Sequence, residues 1–428
     1  MSSNQKSYAF PMFIIGTLFF IFGFVTWLNS VLIPFLQQAC QLTDFQAYFV
    51  TLAFYISYFV MAIPSSSILK KTGFARGMSI GLFAMAIGAL IFIPAAQARS
   101  YPLFLLGLFI QGTGLTLLQT ASNPYVTILG PIESAAKRIS IMGIANKVAG
   151  MIGIFILVGL LFNDTQEISA RIESLTGAAL AAELDLLAAR VIVPYVVMAA
   201  VLAGLGLMVL KAHLPEIDPD ADTPAAGGTA HTEKTSVFQF PHLVLGVLCI
   251  FLYVGVEVIA IDTIVLYGEF QDFDKKAAGM FSIYSLIALT AGYVVGILLI
   301  PKYLSQRMAL VGCALLGLFF ALGALVTDGG LSIFCVVMLS FAHALMWPAI
   351  WPLALDGLGR FTKIASALLV MGIAGGAIMP LVYGALADAA NRQQAYWVTV
   401  PCYLYILYYA TKGHRVGKKA VTAPKVAA

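Results

Sequence analysis

Apolar residues fall into twelve long runs separated by short polar punctuation, roughly 9–36, 46–69, 78–98, 102–129, 139–162, 190–210, 242–268, 279–300, 308–326, 331–353, 364–386 and 395–411. Most reach the ~20 residues that an α-helix needs to cross a bilayer's hydrocarbon core. Backbone polar groups in lipid must be satisfied within the segment, so the runs predict helices. None has the residue-by-residue alternation of a membrane barrel strand. The pattern therefore predicts an all-α membrane protein with twelve transmembrane helices. The first run, Tyr8 to Leu36, exceeds a signal-peptide apolar core and no small-residue cleavage site breaks it, so it is expected to remain as the first span.

Composition agrees with that pattern. Of 428 residues 61% are apolar and 10% charged, whereas soluble domains run near half and a quarter. A water-soluble or disordered chain is excluded. With both termini cytoplasmic, 17 Lys and Arg residues fall on the cytoplasmic side and 6 on the other, which is the expected orientation in a cell inner membrane. The formal charge is +4 and no basic run carries interleaved aromatics, so no nucleic-acid partner is expected. The five cysteines are scattered without a paired or metal-ligand spacing and read as small packing residues. No metal and no cofactor are expected; the partners are a small solute, a coupling ion and membrane lipid, and the chain reads as a monomer.

A Pro-, Gly-, Asp- and Thr-rich segment at 213–237 divides the spans six and six and reads as a cytoplasmic linker. It bounds an N-terminal bundle at 1–212 and a C-terminal bundle at 238–412, followed by a cytoplasmic tail at 413–428. Residues 163–189 form a second long loop whose periodicity suggests a surface helix. The halves echo each other: Met142-Gly143-Ile144-Ala145 recurs as Met371-Gly372-Ile373-Ala374, with Gly130 and Gly359 at the same offset ahead of them. Two pseudo-symmetric six-helix halves around a linker are the pattern of the major facilitator fold, whose substrate sites lie near midplane between the halves.

Of 20 acidic residues, 18 lie in loops, tails or span ends; Glu257 and Asp262, both in span 7, fall inside the apolar part, as does Lys147 in span 5. A charge at a helix centre costs at least ~2.5–3.5 kcal/mol, so such groups face a cavity or a partner. The plain alternative is an ion pair that locks helices. At a rise of ~1.5 Å per residue, Lys147 and Glu257 lie roughly 14 and 22 Å from the cytoplasmic ends of their spans and Asp262 roughly 30 Å. The two acids point about 140° apart on a regular helix, which predicts different roles. Uncharged polar residues gather at similar depths: Asn29 and Ser30, Gln119 and Asn123, Asn146, and His343 with Trp347 and Trp351. Amides suit sugar hydroxyls, and an indole face suits the C–H side of a pyranose ring. Each also has a structural reading as interhelical glue, above all Asn123 beside Pro124, while Trp351 and His343 also fit as packing residues.

At these residues the chain resembles the fucose–galactose–glucose permeases of the major facilitator superfamily. The similarity is densest at Phe22–Pro34, Leu118–Pro131 and Tyr253–Glu257. The proton-coupled fucose members carry Asp where this chain has Ser30 and Glu where it has Gln119. The resemblance therefore implies a hexose of glucose/galactose type, imported by alternating access with H+ or Na+, the proton being favoured. An N-acetylglucosamine (N-acetylhexosamine) symporter, a hexose uniporter and a non-transporting sugar sensor are the alternatives, and no enzyme is expected. Aligning Gly23 with Gly255 pairs Ser30 with Asp262, so the coupling carboxylate is expected to have moved to span 7. The expected substrate set is Asn29, Gln119, Asn123, Asn146, Glu257, Trp347 and Trp351, with Asp262, Glu257 and Lys147 coupling the cation.

Overall fold

The apolar runs fold as helices because their backbone groups have no other partner in hydrocarbon. The computed structural model describes residues 9–128, 135–212, 235–300, 303–358 and 361–418, with side chains undescribed at 9–11, 123–128, 135–140, 165–166 and 362–363. Most of the linker and tail, Gly130 and Gly359 lie outside the described residues, as does the Asn123 side chain. No strand occurs among the described residues.

In the first half, span 1 comprises α1 (Ala9–Trp27) and α2 (Asn29–Cys40), parted at Leu28. A Thr43–Gln46 capping box starts the short α3 (Asp44–Ala47), which leads into α4 (Phe49–Thr72). Then come α5 (Phe74–Gln97), α6 (Tyr101–Ile128) and α7 (Ala135–Leu161). The 163–189 loop carries two helices where the periodicity suggested one, α8 (Thr165–Ser174) and α9 (Gly177–Ala189), before α10 (Ile192–Lys211).

The second half repeats the plan. Span 7 is α11 (Pro241–Asp262) and α12 (Ile264–Phe270), parted at Thr263, one residue past Asp262. It is followed by α13 (Lys275–Leu299), α14 (Gln306–Val326), α15 (Gly329–His343), α16 (Met346–Leu355), α17 (Thr362–Met371), α18 (Gly375–Ala389) and α19 (Thr399–Thr411). Among the described residues, eleven helical stretches are long and apolar enough to cross a membrane. The twelfth run divides into a 3-10 turn, Gln394–Val398, and the 13-residue α19. Pro401 accounts for that start, since a proline fits the first turn of a helix but cannot donate to a preceding one.

The duplicated tetrapeptide is helical in α7 but leaves α17 through a 3-10 turn, Gly372–Ala374. Gly372, Gly375 and Gly376 each weaken a regular helix by about 1 kcal/mol, and Pro380 cannot donate to the Gly376 carbonyl. Span 1 packs on span 5 as span 7 packs on span 11. Each pair closes at a glycine: a Cβ on Gly23 would lie 1.7 Å from the Asn146 carbonyl oxygen, and one on Gly375 1.7 Å from that of Phe251. Between halves, α7 meets α13 and α4 meets α18.

Candidate functional site

Span 7 sorts its two acids by exposure. Glu257 is half-buried, whereas Asp262, five residues on and on a different face, is 0% exposed. Lys147 on α7 is half-buried and is the charged neighbour of Glu257 across the halves. The two do not form a contact ion pair within 4.0 Å among the described residues; they influence each other electrostatically at longer range. The Tyr253 hydroxyl is within side-chain hydrogen-bonding reach of Glu257. Both carboxylate oxygens of Asp262 lack a hydrogen-bond partner. Its electrostatic neighbours are Glu257 and the tyrosines Tyr55 and Tyr48, contributed by the first half.

The carboxamides are not equivalent. Asn29 opens α2 just past the Leu28 break, 1% exposed, with its Nδ2 unpartnered. Gln119 on α6 is half-buried and lies near the Tyr58 hydroxyl of α4. Asn146 is already engaged at both ends: Oδ1 accepts from Trp27 Nε1 at 3.1 Å, and Nδ2 donates to the Phe19 carbonyl at 3.3 Å. An amide can donate twice and accept twice, so one N–H and one lone pair remain for a ligand. Ser30 donates to the Trp27 carbonyl at 3.0 Å.

Trp347 and Trp351, both half-buried, stack on each other with centroids 5.2 Å apart, and Trp347 tilts against Tyr253 at 6.4 Å. His343 is 0% exposed, with Nε2 2.7 Å from the Tyr403 hydroxyl and Nδ1 without a hydrogen-bond partner. Sequence reasoning missed Trp27, whose ring lies 4.3 Å from Lys147 Nζ, and the tyrosines Tyr55, Tyr58 and Tyr253. A polar census ranks aromatics low; the usable signal was their clustering beside the chosen charges.

Also missed was a polar network that joins the halves where α2, α3, α12, α13 and α18 converge. Arg392 grips Asp44 through Nε and Nη2, each at 2.8 Å, and donates from Nη1 to the Leu266 carbonyl at 2.9 Å. Asp388 accepts from the backbone N–H groups of Asp44 and Phe45 at 2.9 and 3.0 Å. Lys275 reaches Gln38 at 3.0 Å and Glu269 at 3.6 Å. Burial opposes the Arg392 charge, but the hydrogen bonds and charge of Asp44 outweigh it and raise its pKa further above the ordinary arginine value. At the opposite end Asp356 meets Lys418 at 2.7 Å, within the second half. Among the described residues, the ion pair that bridges the halves is Arg392–Asp44.

The Major Facilitator Superfamily model matches residues 15–380. A glucose/galactose transporter of Brucella abortus biovar 1 (strain 9-941) is 34% identical over 97% of this chain and 96% of its own length. An L-fucose-proton symporter of Escherichia coli (strain K12) is 29% identical over 96% of this chain and 94% of its own. Among solved structures, the Major Facilitator Superfamily transporter FucP in the outward conformation superposes with a TM-score of 0.71 at 29% identity, covering 95% of this chain and 99% of that one. A D-xylose-proton symporter, at 15% identity and a TM-score of 0.67, shares the fold. The chain thus belongs to the Major Facilitator Superfamily and, within it, to the fucose–galactose–glucose permease family of multi-pass membrane transporters.

Proposed function

We propose that this transporter imports a hexose of glucose/galactose type together with a proton, by alternating access between the 1–212 and 238–412 halves. The carrying observation is Asp262, a carboxyl 0% exposed with neither oxygen hydrogen-bonded, inside a span that also holds Glu257 opposite Lys147. An unpaired carboxylate is costly in such a place, so the site favours the neutral acid, which is a loaded proton carrier. A proton fits it better than Na+, because a metal ion needs several oxygen ligands and neither Asp262 oxygen has gathered a polar partner. Asn29 and Gln119 bear hydroxyl-binding groups, Asn146 offers its remaining capacity, and the Trp347–Trp351 stack presents an indole face to the ring. Asn123 completes the set by sequence.

The 17-to-6 distribution of basic residues supports both termini being cytoplasmic in a cell inner membrane, and the reading is of a monomer surrounded by lipid. On that orientation the Asp44–Arg392 network ties the two halves together at the outer end of the bundle. Glucose/galactose and L-fucose relatives support the substrate class; Gln119 in place of the fucose members' Glu favours the former, while Ser30 departs from both. The decisive test is Asp262→Asn in vesicles. Uphill accumulation of labelled hexose under an imposed proton gradient should be lost while sugar exchange persists. Accumulation unchanged from the parent removes Asp262 from coupling; accumulation driven by an imposed Na+ gradient instead replaces the proton.

A further inference from the structure

The Trp27 indole touches both a sugar-site amide and the site's cation. It is 5% exposed at the last position of α1, and its Nε1 donates to Asn146 Oδ1 at 3.1 Å. Its ring face lies 4.3 Å from Lys147 Nζ. Gly150 makes room for it: a Cβ there would come within 2.5 Å of Trp27 Cδ1 and 3.0 Å of Leu286 on α13. A buried indole N–H needs an acceptor, and a backbone carbonyl would serve for packing alone. Here it takes a side chain instead. That choice has a consequence for Asn146, because an amide turned by 180° would set Nδ2 against the indole N–H, donor against donor, and lose the bond to the Phe19 carbonyl.

We propose that Trp27 is a positioning residue for both parts of the site. Its N–H fixes which face of the Asn146 amide meets the sugar, and its π face holds the Lys147 ammonium opposite Glu257. This rests on the roles given above to Asn146 and Lys147. The titratable group facing Lys147 is Glu257 from α11, with Tyr253 from α11, Tyr293 from α13 and Tyr55 from α4 beside Glu257; α1 contributes none. The two functions separate chemically. Phenylalanine keeps an aromatic face but has no N–H; leucine has neither.

The test measures KM, Vmax and the pH profile of hexose uptake in vesicles for Trp27→Phe and Trp27→Leu. Trp27→Phe should raise KM about 2- to 10-fold, the worth of one net hydrogen bond, with Vmax held and the pH profile superimposed on the parent's. Trp27→Leu should raise KM similarly and displace the profile. Trp27→Met replaces the leucine variant if that protein does not fold, since methionine adapts to irregular space. Parental KM in Trp27→Phe, or one profile displacement common to both variants, overturns the proposal. Asn146→Ala and Lys147→Ala run alongside. If they too leave KM and profile untouched, the site reading itself fails; if they move and the Trp27 variants do not, only the positioning role fails.

Discussion

Lys147 and Glu257 attract across a gap, each keeping part of its surface open. Partly exposed charges are worth less than a buried contact pair, yet removing one leaves the other in a poor solvent. Lys147→Ala should therefore lower stability by about 1 kcal/mol, and adding Glu257→Gln should restore part of that loss. A double-mutant cycle on the unfolding midpoint of the purified protein reads the coupling, and strictly additive effects would make the two residues independent. The three intramembrane ions were legible because ionisable groups are rare in apolar runs and each is costly there. Their neighbours were not. Trp27 sits in a run where any aromatic passes as core, and the Asn146 partners lie on α1, 119 and 127 residues away in sequence. The sequence likewise suggested Trp347 as a platform without revealing that Trp351 already covers one of its faces.

At the scale of elements, apolar run length was enough to place the spans, since hydrocarbon allows few alternatives to a helix. Breaks within spans were harder. Neither Leu28 nor Thr263 advertises a break, yet they part α1 from α2 and α11 from α12 beside Asn29 and Asp262. The α1–α7 approach is set by Gly23, where a Cβ would overlap the Asn146 carbonyl at 1.7 Å. Backbone cannot yield as a side-chain tip can, so Gly23→Ala should push the helices apart and cost about 1–3 kcal/mol. The displacement acts on the residue that holds the sugar, so KM should rise as the unfolding midpoint falls. Gly143→Ala, where an added Cβ meets nothing within 4 Å, is the control. Equal effects in the two variants would show general helix sensitivity rather than a close contact.

For the whole molecule the question is what the Asp44–Arg392 pair between the halves does. Asp44 and Arg392 are 348 residues apart, so no local pattern joins them, and by sequence each is an ordinary span-end charge. Folded, they form a two-bond grip between the halves with side chains 10% and 21% exposed. Removing one partner of a largely buried pair costs about 3 kcal/mol, or roughly a hundredfold in an equilibrium. Arg392→Gln should thus shift the protein toward its outward-open state. A Ser30→Cys reporter, placed at a residue 0% exposed in the closed state, should react much faster with an impermeant thiol reagent added outside. A reporter equally reactive from outside in parent and Arg392→Gln protein would leave the network as a brace of the fold rather than the bolt of a gate.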